Sequence, residues 1–328
     1  MSLRILVVMD PPETVQVDAD TSFALMEEAQ ARGHRVDHCL ITDLFATTDP
    51  ETGVRRPGAR VRRASMFRDP AVPPITLGVS ERVWLDEIDA VLMRKDPPFD
   101  SNYLWATQVL ELARGTTLLV NDPRGLRDAN EKLYALHFPA QMPATLVSND
   151  KDDIKAFLHA HGGKVVIKPL SGAGGDGVFL LVEGDLNVNA IIETVTQVGR
   201  RMAMVQEYLP DVVKGDKRVL LLDGEPLGAI LRVPRKDDVR SNIHVGGTVE
   251  KAPLDDHDGR IIAALCDRLR ADGLVFVGLD VIGGRLTEVN VTSPTGIQQM
   301  SRLDGVNLSG KVLDWIERHA ARAGQREA

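Results

Sequence analysis

The sequence predicts an α/β chain, with an open parallel sheet toward the N-terminus and a mixed, largely antiparallel β part with flanking helices after it. Three observations lead there. Up to about residue 120, short apolar runs alternate with stretches of helical character, the order expected of parallel β–α–β units. From about residue 122, strand-like runs follow one another closely with turn residues between them, which suits hairpins. At 328 residues the chain also exceeds a single domain of roughly 100–200 residues, so two or three units share the body.

Residues 3–9 (Leu-Arg-Ile-Leu-Val-Val-Met), apolar apart from Arg4 and ended by Asp10, read as a buried strand. Asp18, Asp20, Thr21 and Ser22 offer N-caps for a helix running to Gly33, a natural terminator. Val36, His38 and Leu40 alternate as a second strand, 88–93 is a third and 117–120 a fourth, with helical material between the last two. Residues 49–75 crowd Pro, Gly and Arg without a period and read as an irregular surface insertion, whose arginines are solvated or grip an anion. Beyond residue 122, Asp128 and Glu131 have the spacing of a capping box for a short helix. Strands are expected near 144–147, 164–168 and 178–183, with a helix at 150–161. Further strands fall at 202–208, 217–223, 227–233, 274–282 and 285–291, with Asp223-Gly224 marking a hairpin and helices near 256–271 and 305–322.

With 43% hydrophobic and 26% charged residues, the composition is that of an ordinary globular protein. Thirty-nine Lys and Arg against 47 Asp and Glu give a net charge of −8, the wrong sign for binding dominated by nucleic-acid phosphates. Small substrates and further copies of the chain are the expected partners, with no nucleic acid and no membrane. Cys39 and Cys266 stand far apart without a CxxC, which points to a reducing compartment rather than a disulfide framework or a thiolate zinc site. The opening apolar run is too short for an export signal, and no later stretch approaches 18 apolar residues.

Three segments could carry chemistry. Lys168 ends a strand and is followed by Ser171, Gly172, Ala173, Gly174, Gly175 and Gly177, a loop whose side-chain-free backbone can turn N–H groups toward phosphate oxygens beside a positive charge. It is neither a Walker A loop nor a Rossmann fingerprint, and by itself it reads equally as a flexible turn. Gly278 to Val291 form a hairpin on which Glu288 and Asn290 share a face. A two-residue Gly283-Gly284 loop pairs Asp280 with Thr287 and turns Glu288 away, whereas a longer loop or a bulge sets Asp280 opposite Glu288. Only the second arrangement gives three hard oxygen ligands of the kind Mg²⁺ takes; an amphipathic hairpin with one wet face is the plainer alternative. Met202 to Pro210, ending in Gln206, Glu207, Tyr208 and Leu209, is a strand shaped to line an adenine with backbone groups, followed by Asp216 and Arg218.

Taken in this order, the segments resemble the ATP-grasp superfamily and, in finer detail, the prokaryotic glutathione synthetase family over essentially the whole chain. The likeness rests on MDPP (9–12), DTSFALMEEAQ (20–30), LMRKDPPFD (92–100), NEKLYAL (130–136), IKPLSGAGGDGV (167–178), QEYLP (206–210), GDKRVLL (215–221), GLDVIG (278–283) and LTEVNVTSPTG (286–296). The last two occur across ATP-grasp ligases; LMRKDPPFD and the N-terminal segment narrow the choice.

The resemblance implies an N-terminal parallel-sheet, substrate-binding pre-ATP-grasp domain at 1–122. An ATP-grasp fold would follow in two β-rich subdomains, 123–203 with the glycine-rich loop and 204–328 with a lid loop and metal site. It implies ATP-dependent ligation of γ-glutamylcysteine and glycine to glutathione, ADP and phosphate through an acyl phosphate, by a cytoplasmic homo-oligomer. Lys132 and Lys168 would hold phosphates under the 171–177 loop, residues 206–209 would line the adenine and Asp216 would reach the ribose. Some relatives carry a lysine where this chain has Asp122, so the second nucleotide lysine is set at Lys132. Asp280, Glu288 and Asn290 would hold two Mg²⁺ ions with ATP, Mn²⁺ being a substitute, and Arg218, Arg232 and Arg240 would stabilise the transferring phosphoryl group. Residues 233–247 would form the lid, and Asp18, Ser22, Arg94, Asn242, Ser293, Pro294 and Thr295 would bind substrate. Another ATP-grasp carboxylate–amine ligase, or a non-catalytic ATP-binding module as in the synapsin family, are the alternatives; intact Lys168, Arg218, Asp280, Glu288 and Asn290 weigh against the latter. No GxGxxG follows the first strand, which argues against a Rossmann oxidoreductase.

Overall fold

A computed structural model describes residues 2–172, 174–234 and 248–323. The chain opens with β1 (Arg4–Val8), α1 (Thr21–Ala31) and β2 (Arg35–Cys39). It continues through β3 (Leu44–Thr48), β4 (Arg55–Met66) and β5 (Ile75–Trp84), then returns with β6 (Ala90–Met93), α2 (Ser101–Glu111), β7 (Leu118–Val120) and α3 (Pro123–Asp128). These strands make one sheet in the order β3-β4-β2-β1-β6-β7, with β5 paired to β4. β2, β1, β6 and β7 run parallel. On β1, Leu6 and Val8 enter one core and Ile5 and Val7 another, which is why residues 5–8 read as an unbroken apolar run.

The stretch expected to be an irregular insertion carries β4, the middle strand of an antiparallel meander of β3, β4 and β5. β4 does alternate: Ala59, Val61, Ala64 and Met66 are buried while Arg60, Arg62 and Arg63 face solvent. Three of its five buried residues, Gly58, Ala59 and Ala64, are small, and a register shift between Arg62 and Ala64 breaks the period, so the pattern is faint in sequence. The expected capping box is also corrected. Asp128 ends α3, which Asp122 caps by accepting from the Arg124 N–H at 2.8 Å. The next turn, Leu133–His137, is held at its start by Asn130, whose Oδ1 accepts from the N–H groups of Lys132 and Leu133.

A second sheet, β10-β9-β11-β8, comprises β8 (Thr145–Ser148), β9 (Lys164–Pro169), β10 (Phe179–Val182) and β11 (Ala203–Glu207), all antiparallel. α4 (Lys151–Ala160) and α5 (Val188–Val195) cover one face, where Ile154, Leu158 and Ile192 pack on Val165, Ile167, Leu181 and Val205. The third sheet, β14-β13-β12-β15-β16, comprises β12 (Asp216–Leu222), β13 (Glu225–Val233), β14 (Thr248–Lys251), β15 (Phe276–Ile282) and β16 (Arg285–Asn290). α6 (Asp256–Ala271) brings Ile261, Leu265 and Leu269 into the core that also holds Leu279, Val281 and Val289.

α7 (Ile297–Asp304) and α8 (Leu308–Ala323) then carry the chain back to the first sheet. There Arg32 at the end of α1 reaches Asp314 at 2.7 Å, Glu317 at 3.1 Å and the Gly310 carbonyl at 2.9 Å. α5 and α7 have no counterpart in the elements expected from sequence. Among the described residues no helix is long and apolar enough to cross a membrane.

Candidate active site

Strand alternation builds the first wall of a cleft between the second and third sheets. On β9, Val165 and Ile167 face α4 and α5, so Val166 and Lys168 face the other way and line the cleft. On β11 the same rule buries Val205 and presents Gln206, followed by Glu207, Tyr208 and Leu209. Pro143, Leu180, Val212 and Ile282 complete an apolar slot at this end. The empty volume of the cleft and its mouth is about 1210 Å³. Gly172, Gly174, Gly175 and Gly177 all have positive φ, the conformation that lets this loop fold over the cleft where side-chain-bearing residues would be strained.

The facing wall comes from the hairpin of β15 and β16. Its loop is the two-residue Gly283-Gly284 turn, both residues at positive φ, and a register shift after Asp280 absorbs Thr287 as the extra residue. Asp280 thereby stands opposite Glu288, and Gly278 opposite Asn290. The bulge, rather than a longer loop, satisfies the condition for a shared acidic face.

Charge is tightly compensated across the cleft. Lys132 Nζ lies 3.0 Å from Glu288 Oε1 and donates to the Gly172 carbonyl at 3.1 Å. Lys168 Nζ donates to the Thr287 carbonyl at 3.2 Å, and burial pulls its pKa below the usual value, against the charge of Glu288. Arg218 grips Asp280 through Nε at 2.5 Å and Nη2 at 3.1 Å. Arg232 joins the same carboxylate at 2.9 Å and pairs with Asp216. Burial opposes ionisation of Asp280, yet the two guanidinium groups hold its carboxyl well below the usual range. Burial pushes Asp216 up to about 6, against the pull of Arg232. Glu131, also on the cleft wall, is raised by burial and then by Glu288.

Asp280, Glu288 and Asn290 offer oxygen donors. Asn290 gives its Nδ2 proton to the Gly278 carbonyl at 3.3 Å, which leaves Oδ1 as the atom able to ligate. Among the described residues no three His, Cys, Asp or Glu side chains gather into a self-sufficient metal site. Two carboxylates and an amide fit a hard divalent cation whose coordination is completed by water and phosphate oxygens.

Of the residues singled out in the sequence, Lys132, Lys168, Gly172, Gly174, Gly175, Gln206, Glu207, Tyr208, Leu209, Asp216, Arg218, Asp280, Glu288 and Asn290 meet on this cleft. Ser171 and Gly177 belong to its loop without lining it. Asp216, expected at the ribose, spends Oδ2 on Arg232, which itself sits behind the cleft wall. Asp122 lies apart, paired with Arg114 at 3.0 Å. Arg94, Ser22 and Pro294 meet elsewhere, at the carboxyl ends of β1 and β6: Arg94 Nε donates to Ser22 Oγ at 3.1 Å and Nη2 to the Pro294 carbonyl at 3.0 Å.

Thr295 accepts from Arg218 through its carbonyl at 3.3 Å, so the 293–295 segment joins the Arg94 cluster to the cleft. Asp18 does not join either group. Its side chain is 88% exposed, 3.4 Å from Arg68, and Asp20 caps α1 in its place. Ala173, Arg240 and Asn242 lie outside the described residues. Sequence reasoning missed Glu131, which had been given to a capping box, and Thr287, whose place depends on the bulge.

A family model for the N-terminal domain of prokaryotic glutathione synthetase matches residues 3–127, and that for the family's ATP-grasp domain matches residues 131–305. The chain is 49% identical over 320 residues to a glutathione synthetase of Gloeobacter violaceus, with 96% of each chain covered. It is 43% identical over 320 residues to one of Vibrio vulnificus strain YJ016, with 97% and 98% covered. Among solved structures, D-cycloserine synthetase DcsG is similar with a TM-score of 0.66 at 17% identity, covering 97% of this chain and 99% of that one. The ATP-grasp ligase PsnB complexed with a minimal precursor gives a TM-score of 0.61, also at 17% identity, with the same coverage. These two establish the ATP-grasp fold, and the sequence matches go further: the chain belongs to the prokaryotic glutathione synthetase family, ATP-dependent ligases that form glutathione.

Proposed function

We propose that the cleft phosphorylates the cysteinyl carboxylate of γ-glutamylcysteine and hands the resulting acyl phosphate to glycine. A carboxylate is a poor electrophile at neutral pH. One of its oxygens attacks the γ-phosphorus of ATP and ADP leaves; the glycine nitrogen then attacks the carbonyl carbon, loses its proton, and phosphate departs. The observation that carries this reading is the convergence of Lys132, Lys168 and Arg218 with Asp280, Glu288 and Asn290 on one cleft. No side chain need form a covalent intermediate, because positioning and charge neutralisation suffice.

In this reading the apolar slot and the backbone at 206–209 take the adenine, while the glycine loop with Lys132 and Lys168 takes the phosphates. Two divalent cations, Mg²⁺ or Mn²⁺, held by Asp280, Glu288 and Asn290, neutralise phosphate charge when bound. Arg218 faces the transferring group, and Arg232 orients Asp280 and Asp216 from behind. The dipeptide lies at the carboxyl ends of β1 and β6, where strand order reverses and open parallel sheets bind ligands. Arg94 supports this placement: it is buried, and among the described residues its Nη1 has no hydrogen-bond partner. Ser22 and the 293–295 segment hold its other nitrogens and tie it to Arg218. The lid roles of Arg240 and Asn242 rest on sequence alone.

The division at 1–122, 123–203 and 204–328 belongs to the same reading, with α8 lying on the first unit. So does a cytoplasmic homo-oligomer, supported by the free thiols of Cys39 and Cys266 and by an edge strand, β5, whose Val79 is 91% exposed. A light-scattering mass equal to that of one chain would refute the oligomer.

The acyl phosphate is tested with γ-glutamylcysteine carrying ¹⁸O in both oxygens of the cysteinyl carboxylate. One ¹⁸O should appear in each phosphate released, and release should require both substrates. Unlabelled phosphate alongside the tripeptide would sink the intermediate.

A further inference from the structure

The short segment Asn130–Lys132 touches both sides of the cleft. Asn130 Nδ2 donates to the Leu170 carbonyl at 3.1 Å, at the root of the glycine loop. Lys132 joins Gly172 and Glu288. Glu131 between them does something the reaction scheme does not use. Its Oε1 accepts from the N–H of Val291 at 3.1 Å, the N–H of Thr292 at 3.2 Å and Thr292 Oγ1 at 2.8 Å, while its own carbonyl accepts from the Val289 N–H at 2.9 Å.

Val289, Val291 and Thr292 bracket Asn290 at the point where β16 ends. Among the described residues Asn290 Nδ2 makes only a 3.3 Å bond, to Gly278, so the side chain anchors itself weakly. A strand end without a neighbour on its far side would fray, and one side-chain oxygen accepting from three donors is a substitute for that neighbour. We propose that Glu131 is a positioning residue for the metal-donor strand, fixing residues 289–292 so that Glu288 and Asn290 keep their spacing to Asp280 when Lys132 leaves Glu288 for a phosphate. The inference rests on the metal-donor reading of Asp280, Glu288 and Asn290. Outer residues that orient metal ligands commonly change affinity by about 10–100-fold when removed.

The test measures binding of Mn²⁺ to the full chain in the presence of ADP, by electron paramagnetic resonance, together with thermal unfolding without ligand. Glu131→Ala should weaken Mn²⁺ binding about 10–100-fold. Glu131→Gln, which keeps an oxygen facing the same donors, should restore binding to within about threefold of the parent. If Gln is as damaging as Ala, the negative charge itself is required and the positioning role is overturned. Mn²⁺ affinity unchanged in Glu131→Ala overturns it too, even if the unfolding temperature falls, since that combination marks a purely structural contact.

Thr292→Val removes one of the three donors and should weaken binding measurably; should Glu131→Ala not fold, this variant and Glu131→Gln decide the matter, and parental affinity in Thr292→Val refutes the inference. Asn290→Ala separates the two layers. Weakened Mn²⁺ binding there, with none in Glu131→Ala, sinks only the positioning role. Parental affinity in Asn290→Ala sinks the donor reading and the inference with it.

Discussion

Arg218 makes two bonds to Asp280 and one to the Thr295 carbonyl, so its guanidinium links the acidic hairpin to the segment that reaches Arg94. Lysine cannot reproduce that fork. Arg218→Lys should lower kcat by about 10²–10³-fold, the usual cost of losing a donor at developing charge, with a smaller change in the KM for ATP. Steady-state kinetics check this, and a loss confined to KM would assign Arg218 to ground-state binding. At this scale much of the candidate site was legible. Lysine before glycines, and Asp280, Glu288 and Asn290 on apolar strands, announce oxygen and phosphate chemistry through residue type alone. What sequence left open was pairing: whether Asp280 met Glu288 turned on one bulged residue, Thr287, and nothing local distinguishes a bulge from a longer loop. Glu131 was misassigned because Asp-x-x-Glu is a genuine local signal that a tertiary contact overrode.

Among the elements, α6 offers the clearest pH test. Asp255 caps it, accepting from the N–H groups of His257 and Asp258, and also pairs with Lys217 at 2.9 Å. The Lys217 contact, with help from the backbone donors, holds its carboxyl down at about 2 against an ordinary 3.8. A depressed carboxylate stabilises the fold above its unfolded pKa and loses that contribution as pH falls through the folded one. The advantage of the parent over Asp255→Asn in thermal unfolding should therefore be complete above about pH 4 and fade toward pH 2. A gap that stays constant across that window refutes the assignment. Removing the cap with Asp255→Ala should cost about 1 kcal/mol.

Helices with such caps, like the α4 that follows Asp150, were readable from sequence. The β3–β5 meander was not, because arginines occupy the solvent face of β4 and glycine and alanine fill three of its five buried positions, leaving little hydrophobic contrast. Where contrast is strong, as in β1 and β15, the strands emerged within a residue or two.

At the scale of the whole molecule, the proposed nucleotide site draws its residues from two sheets that share no strand, so filling it should stiffen the body rather than one lobe. ADP with Mg²⁺ at a hundred times its Kd should stabilise the fold by about 2.7 kcal/mol, read as a rise in unfolding temperature that Glu288→Gln largely removes. An equal rise in that variant would place the ligand elsewhere. The overall plan was legible because grammar changes near residue 122 and because each motif lies in order along the chain; the return of α8 to α1 was not, since it is sealed by contacts such as Arg32 with Asp314 across 282 positions.

One arrangement sets how the site chooses what enters. Lys132 and Arg218 rest against Glu288 and Asp280, so the walls neutralise each other before anything arrives. A polyanion coming alone would strand two carboxylates, and a divalent ion coming alone would face two cations. If the cleft takes nucleotide and metal as proposed, each guest prepares the place of the other, and by linkage the factor by which metal tightens nucleotide is the factor by which nucleotide tightens metal. Selectivity of this kind would fall on the pair, against free phosphates and free cations alike.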